Sequence, residues 1–276
     1  MTNAVLSRLA LALVMLWMCS RTTSLAQDAA APVPAGSVSR PASSGWHVDL
    51  EYQHADVFQN NVQRPNDSDG TRFGVTSFAG SVVNTGRISA YAPLNLFRDG
   101  DEVRLVYAPF RQSGSGLAAE PLKFDYATFQ PGVPLKVLFK FDTYRLTYDL
   151  PIFPGLRSSG WELRVGATVA LRDARVQLSQ PMLTRNYTNQ GPIPFLLYGS
   201  IEKEFAPGWH ALAEFDAFPA PGGGGLFDGS LKLAYDISAN VSLTTGYRYE
   251  IGGATEKTIY TLLSAGGVVA GLNLRF

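Results

Sequence analysis

The sequence has little of what marks several large classes of protein. It contains one cysteine, Cys19, which excludes a disulfide framework and a zinc-finger type of site. Its 23 Lys and Arg residues are balanced by 23 Asp and Glu residues, whereas a nucleic-acid-binding protein needs a basic excess to neutralise phosphates. Charged residues make up 17% of the chain and hydrophobic ones 46%, which argues against a disordered chain.

A helix long enough to span a membrane is also missing from the start of the chain. The apolar run over residues 9–18 is shorter than the roughly 20 residues that a transmembrane helix needs. Residues 1–26 contain no acidic residue, Arg8 precedes the run, and the small residues Ser24 and Ala26 follow it. This order is typical of a secretory signal peptide. We therefore predict that residues 1–26 are removed by cleavage near Ala26.

The chain then divides into a leader and a patterned region. Residues 27–45 are rich in Ala, Pro, Ser and Gly and have no apolar periodicity, which predicts a flexible periplasmic leader. From residue 46 to residue 276 hydrophobic residues recur with a period of two, typical of strands with one apolar and one polar face. In residues 46–53, for example, the apolar set is Trp46, Val48, Leu50 and Tyr52.

Ten segments carry this alternation, and tilted strands need about 9–11 residues to cross a bilayer. The candidate strands are 46–53, 87–96, 102–110, 135–150, 161–172, 193–205, 209–216, 230–237, 241–250 and 268–276. In the fourth of these the alternation changes phase at Asp142-Thr143, which predicts a β-bulge.

The connections between these segments alternate in length. Short ones are expected at residues 97–101, 151–160, 206–208 and 238–240, and long ones at residues 55–86, 111–134, 179–192, 219–227 and 251–257. Short periplasmic turns and longer extracellular loops characterise outer-membrane barrels. The predicted fold is therefore an all-β, antiparallel up-and-down transmembrane β-barrel of about ten strands, with eight and twelve strands left open. A water-soluble barrel would show the same alternation but would not need this asymmetry.

Aromatic residues support the membrane interpretation. Trp46, Trp161 and Trp209 each begin a strand that follows a short connection or the leader, and Phe205 ends a strand at the same level. Aromatic side chains are enriched where a barrel meets the membrane–water interface. We predict that these four residues form an aromatic girdle on the periplasmic side.

The C-terminal segment GLNLRF alternates Leu272 and Leu274 and ends on Phe276. Here the sequence resembles Gram-negative outer-membrane β-barrel proteins, whose last strand ends in an aromatic residue. The resemblance covers residues 46–276 in pattern. It implies a bacterial outer-membrane location, recognition of Leu272, Leu274 and Phe276 by the barrel-assembly machinery, and contact with outer-membrane lipid and lipopolysaccharide. It does not indicate an oligomeric state.

The polar face of the strands carries charges of both signs, which would point into a narrow lumen. Buried charges need partners. Counting from the short turns places Arg164 level with Glu202 and Glu214 level with Lys232, and Asp216 and Arg248 belong to the same set. We expect a charge-braced lumen in a barrel of structural or interaction type, with a narrow pore for small solutes as the sharper alternative.

An enzymatic function is the runner-up. A hydrolase acting on lipid or peptide at the extracellular rim needs a positioned base there, and His54 is the one weak candidate. No nucleophile stands at the spacing of a known motif. The sequence predicts no cofactor, no metal site and no nucleic-acid partner, and it favours a non-enzymatic protein.

Overall fold

The computed structural model describes residues 45–220 and 224–276; the predicted signal peptide (1–26) and nearly all of the predicted leader (27–44) lie outside the described residues. The described strands are β1 (His47–Gln63), β2 (Phe73–Gly74), β3 (Val82–Pro93), β4 (Glu102–Ala108), β5 (Arg111–Leu117), β6 (Leu122–Phe124), β7 (Ala127–Phe129), β8 (Pro134–Ile152), β9 (Trp161–Gln180), β10 (Leu183–Ala206), β11 (Trp209–Ala220), β12 (Gly224–Asp236), β13 (Val241–Thr255) and β14 (Tyr260–Arg275). One short helix, α1 (Thr76–Ala79), and a 3-10 helix (Pro154–Ser159) complete the described elements.

The strands close into an antiparallel barrel of ten. Neighbours in sequence pair in order from β8 to β14, β4 and β5 share one position beside β8, and β3 and β1 follow. Closure comes from the pairing of β1 with β14, which runs from His47↔Arg275 to Gln63↔Tyr260. The predicted fold class, an antiparallel up-and-down transmembrane barrel of ten strands, is confirmed. No helix among the described residues has the length and apolarity to cross a membrane.

One end of the barrel, called the turn end below, carries the short connections and both ends of the strand sequence. Its turn between β3 and β4 is held by Asp101, whose carboxylate accepts backbone hydrogen bonds from Leu96, Phe97 and Arg98. Burial acts to raise the pKa of Asp101, but the hydrogen bonds from the Tyr148 hydroxyl and these N–H groups outweigh it and lower the pKa to about 2. The turn is therefore held by an ionised carboxylate at neutral pH.

The opposite end, called the loop end below, differs from the prediction. Residues 179–192 were expected to form a long loop, yet β9 continues to Gln180 and β10 starts at Leu183. The same holds at residues 251–257, where β13 runs to Thr255. Strands of 20 and 24 residues exceed what a bilayer requires, so the wall rises past the membrane instead of ending in loops.

Next to the turn end, the outer surface of the barrel is apolar. Large hydrophobic side chains point outward and are exposed on every side of it, as in Leu105 (56%), Val169 (57%), Leu197 (55%), Leu233 (46%) and Leu272 (39%). A belt of exposed apolar side chains around a whole barrel is stable only against the acyl chains of a membrane.

Farther from the turn end, the polarity of the two faces inverts. In β8 the side chains of Val137 and Phe139 are buried inside the barrel, whereas Tyr144 and Leu146 point outward. The pairing of β8 with β9 is continuous from Lys136↔Ser179 to Ile152↔Leu163, so the bulge predicted at Asp142-Thr143 is wrong. The apolar residues of β8 move from its outer face to its inner face at Asp142-Thr143 because the strand leaves the bilayer at that point. Beyond it, water lies outside the barrel and a packed core lies inside.

That core caps the barrel at its loop end. Strand β2, helix α1 and the β6–β7 hairpin fold over the upper lumen. The apolar cap is formed by Val57, Val62, Phe73, Val75, Val83, Phe110, Leu122, Phe124, Phe129, Leu135, Val137, Phe139, Val176, Leu178, Leu263 and Ala265. Helix α1 lies so close to β5 that a Cβ on Gly114 would be 2.3 Å from the carbonyl oxygen of Phe78. Glycine is therefore required at that contact.

Candidate functional site

Charged side chains fill the middle of the lumen and contact each other across its axis. Glu214 of β11 accepts hydrogen bonds from Lys232 at 3.2 Å and Arg248 at 3.0 Å, and Arg104 lies 3.5 Å away. None of these four side chains is more than 7% exposed. Buried charges of this kind are stable only when each has partners, which is the case here.

Two aspartates extend the contacts to further strands. Asp216 accepts hydrogen bonds from Arg104 at 2.9 Å and from Arg145 at 3.0 Å. Asp228 binds Arg87 at 2.8 Å, Arg145 at 2.6 Å and Arg248 at 2.7 Å. With Glu51, which accepts from Lys232 and Arg248, the charge network comprises Glu51, Arg87, Arg104, Arg145, Glu214, Asp216, Asp228, Lys232 and Arg248. It links β1, β3, β4 and β8 to β11, β12 and β13 across the lumen.

Nearer the turn end, a second group of charges lies below the charge network. Arg164 contacts Asp149 at 2.5 Å, Glu162 at 2.9 Å and Glu102 at 3.5 Å. His210 lies 3.0 Å from Glu202 and 3.0 Å from Asp236. The lumen is thus occupied by ion pairs from the turn end up to mid-height.

The strand registers place the members of each predicted pair two residues apart along their strands. Across β9 and β10 the register places Ser200 opposite Arg164 and Glu162 opposite Glu202. Across β11 and β12 it places Ser230 opposite Glu214. Counting from the turns ignored the stagger between strands. The side chains of Glu214 and Lys232 still reach each other, because long side chains contact diagonal neighbours.

Sequence reasoning placed Asp216 and Arg248 in the lumen, and the structure puts both in the charge network. There Asp216 contacts Arg104 and Arg145. Arg248 contacts Glu51, Glu214 and Asp228. Sequence reasoning did not identify Arg87, Arg145 or Asp228 as members of a pair. The alternation of Arg87 with Gly86 and Ile88 was the signal that could have found the first of these.

The predicted girdle residues lie together at the turn end. The Trp209 ring lies near Phe205 (6.5 Å between ring centroids) and Tyr235 (4.7 Å) in tilted arrangements, and the Lys203 ammonium lies over Trp161. Trp46 is 64% exposed. Its carbonyl accepts a backbone hydrogen bond from Phe276 at 2.9 Å. Of the predicted assembly residues, Leu272 and Leu274 lie on β14, and Phe276 follows it next to Trp46.

His54, the weak catalytic candidate, lies on the outer face of β1. Its Nδ1 is 2.8 Å from Oδ1 of Asn84, and its side chain is exposed. The structure places no serine or carboxylate in hydrogen-bond contact with it among the described residues. Among those residues there is likewise no cluster of His, Cys, Asp and Glu that could hold a metal ion.

A cavity of about 290 Å³ separates the charge network from the apolar cap. Its floor is formed by network residues such as Arg87 and Asp228, and its opposite wall by Phe110, Phe139 and Leu263. It extends to the loop-end residues of β12 and β13. The volume is at the lower end of the roughly 300–1,000 Å³ found for small-molecule pockets.

Glu250 of β13 lines this cavity, and the described part of the chain gives its carboxylate no hydrogen bond and no ion pair. Arg172 also lines it and donates to Asn189 at 3.2 Å, while its Nε is buried without a partner in the described residues. The cavity therefore joins apolar walls to polar groups, namely the Glu250 carboxylate and the charged floor, which is the arrangement of a site for an amphiphilic molecule.

Neither a protein-family model nor a curated protein matches this chain. Solved structures with a similar strand architecture include Neisserial surface protein A (16% identity, TM-score 0.33, covering 84% of this chain and 98% of that chain). They also include the translocator domain of autotransporter NalP from Neisseria meningitidis (9%, 0.38, 99% and 98%) and the outer membrane protease OmpT from Escherichia coli (10%, 0.30, 84% and 97%). At these values no activity or ligand carries over to this chain.

Proposed function

We propose that the protein is an outer-membrane β-barrel that binds a small amphiphilic molecule and does not conduct solutes. The amphiphile would have an apolar chain and a head group that donates hydrogen bonds. The location is supported by the apolar outer belt and the C-terminal strand, which also support contact with lipid and lipopolysaccharide and delivery by the barrel-assembly machinery.

The observation that carries the proposal is the cavity between the charge network and the apolar cap. Phe139, Leu263 and Leu226 offer an apolar wall, while Glu250 offers an acceptor to which no described residue donates a hydrogen bond. A donor on the ligand would satisfy that carboxylate, for which the described residues supply no hydrogen bond.

A conducting pore, the sharper alternative from the sequence, is not favoured. The charge network fills the lumen at mid-height, and the apolar cap covers it above. The contact of His54 with Asn84 does not favour a hydrolase, since an amide does not activate a catalytic base. The floor of the cavity consists of charged side chains that are already paired with each other, and its opposite wall includes aromatic side chains. This lining favours ligand binding over catalysis.

Binding is tested with the barrel in phosphatidylcholine nanodiscs. Monododecanoylglycerol, which has two hydroxyl donors, should bind more tightly than methyl dodecanoate, which has the same chain and no donor. Leu226→Trp should abolish binding by filling the cavity, whereas Leu231→Trp, which points outward from the same strand, should not. Glu250→Gln should reduce the preference for the hydroxyl compound.

Equal binding to the Leu226→Trp and Leu231→Trp variants would contradict the proposal. So would steady single-channel conductance of the wild-type barrel in planar bilayers, since a continuous water path would have to pass through the charge network.

A further inference from the structure

Between β3 and β5 the ladder of backbone hydrogen bonds in the barrel wall is interrupted. Strand β3 pairs with β4 from Pro93↔Glu102 only as far as Ile88↔Tyr107. Strand β5 continues the wall but pairs with β8 alone. From Gly86 to Val82, β3 therefore has β1 on one side and no backbone pairing with β5 on the other. The pairing with β3 is lost at Pro109, which lies between β4 and β5 and has no N–H to donate.

The turn-end edge of this gap, at Gly86, lies within the height of the bilayer. Gly86 is opposite Tyr52, six residues along β1 from Trp46 in the girdle. With about 3.4 Å per residue and a tilt of about 45°, six residues rise about 15 Å, and the apolar band of such barrels is about 25 Å tall. The edge of the gap at Gly86 therefore faces acyl chains, whereas its far end, where Asn84 contacts the exposed His54, lies at the outer border of this band.

An apolar groove runs along the outer surface at this position. It is lined by Leu50, Tyr52, Ile88, Tyr107 and Leu272, all of which point toward the membrane. Glu51, Gly86, Arg87 and Pro109 line both this outer groove and the inner cavity. The groove and the cavity are thus separated only by the thickness of the wall at these residues.

Fewer hydrogen bonds close this gap than would join two paired strands. The Thr85 hydroxyl donates a hydrogen bond to the carbonyl oxygen of Pro109, and Arg87 turns inward to Asp228. Gly86 contributes no side chain. On the loop-end side, Gln112 closes the wall by donating to the carbonyl oxygen of Gly80 at 2.5 Å.

We propose that a single-chain amphiphile reaches the cavity sideways from the bilayer, through the gap between β3 and β5 at Gly86 and Pro109. The inference rests on the proposed binding function and names the source of the ligand, which is the lipid phase. The acyl chain first lies in the outer groove. It then passes between Thr85 and Pro109 so that its head group meets Glu250 and its tail meets the apolar cap.

The test uses a monoacylglycerol that carries a diazirine in its acyl chain, added to phosphatidylcholine vesicles that contain the full barrel. After irradiation, mass spectrometry locates the crosslinks. Wild-type protein should give crosslinks to the inner residues Phe139 and Leu263 as well as to outer residues. Gly86→Leu should lose the inner crosslinks and keep the outer ones, because the new side chain fills the groove at the gap.

Two further variants make the result specific. A Cβ at Gly86 lies 3.6 Å from the carbonyl oxygen of Glu51 and meets nothing closer, so Gly86→Leu does not require the backbone to move. Ala90→Leu adds the same side chain on the same strand and face, where β3 and β4 are paired, and should behave like wild type. Thr85→Val removes the hydrogen bond to Pro109 without changing the size of the side chain and should speed the appearance of inner crosslinks.

The outcomes separate this inference from the proposed function. Inner crosslinks that are equal in wild type, Gly86→Leu and Thr85→Val would overturn the lateral route and leave the binding function standing. Absence of inner crosslinks from wild-type protein, together with no binding of monododecanoylglycerol in nanodiscs, would overturn both.

Discussion

At the scale of single residues, the feature that most constrains this protein is the mutual dependence of its buried charges. Glu214 touches Arg104, Lys232 and Arg248, and all of them are withdrawn from water. The sequence revealed that charges of both signs would share the lumen, since their alternation with apolar residues is plain. It did not reveal which would meet, because the contacts cross the barrel and depend on strand stagger.

Replacement of Glu214 tests this dependence. Glu214→Ala should lower the free energy of unfolding by about 3–5 kcal/mol, because it leaves buried cations without a carboxylate. Urea-induced unfolding in lipid vesicles, followed by the loss of heat-modifiable migration on gels, measures the change. The control is Asp125→Ala, which breaks a partly exposed pair with Arg64 at 2.8 Å and should cost no more than about 1 kcal/mol. Equal losses in the two variants would show that the lumen is hydrated and the network loose.

At the scale of elements, each long strand belongs to two environments. Its segment near the turn end has an apolar outer face and a polar inner face, and its segment near the loop end has the reverse. In β8 the change falls between Phe141 and Tyr144. Alternation in the sequence located the strand, but alternation has the same period whichever face is apolar. The phase change was visible and was misinterpreted as a bulge, since only the position of the membrane distinguishes the two.

Two substitutions on the outer face of β8 test where the membrane ends. Leu146→Arg lies about six residues from the turn end and should destabilise the barrel by about 2–4 kcal/mol, the cost of a cation near the bilayer midplane. Leu138→Arg, on the same face but beyond the inversion and opposite Gln177, should cost about 1 kcal/mol or less. The measurement is again unfolding in vesicles. If both variants lose the same stability, the bilayer reaches the loop end and the inverted faces need another cause.

At the scale of the whole molecule, the barrel is closed in three ways: around its circumference by β1 and β14, at mid-height by the charge network, and at the loop end by the apolar cap. The first was predictable, since ten alternating segments and a terminal strand require closure. The cap was not, because β2, α1, β6 and β7 are two to four residues long and carry no periodicity. Their apolar residues, such as Phe124 and Phe129, lie in stretches that look like loops.

The last residue is the one at which barrel closure and the proposed assembly signal meet. The Phe276 backbone N–H donates a hydrogen bond to the carbonyl oxygen of Trp46, whereas its side chain is 77% exposed. Phe276→Ala should therefore refold into vesicles with unchanged yield and stability, while its level in the outer membrane of cells should fall, because the assembly machinery would lose its recognition residue. Phe205→Ala removes an aromatic side chain from the same edge, 51% exposed, and should leave the cellular level unchanged. A fall in refolding yield for Phe276→Ala would instead make the ring a structural residue of the closed barrel, and equal cellular levels of both variants would remove its role as a signal.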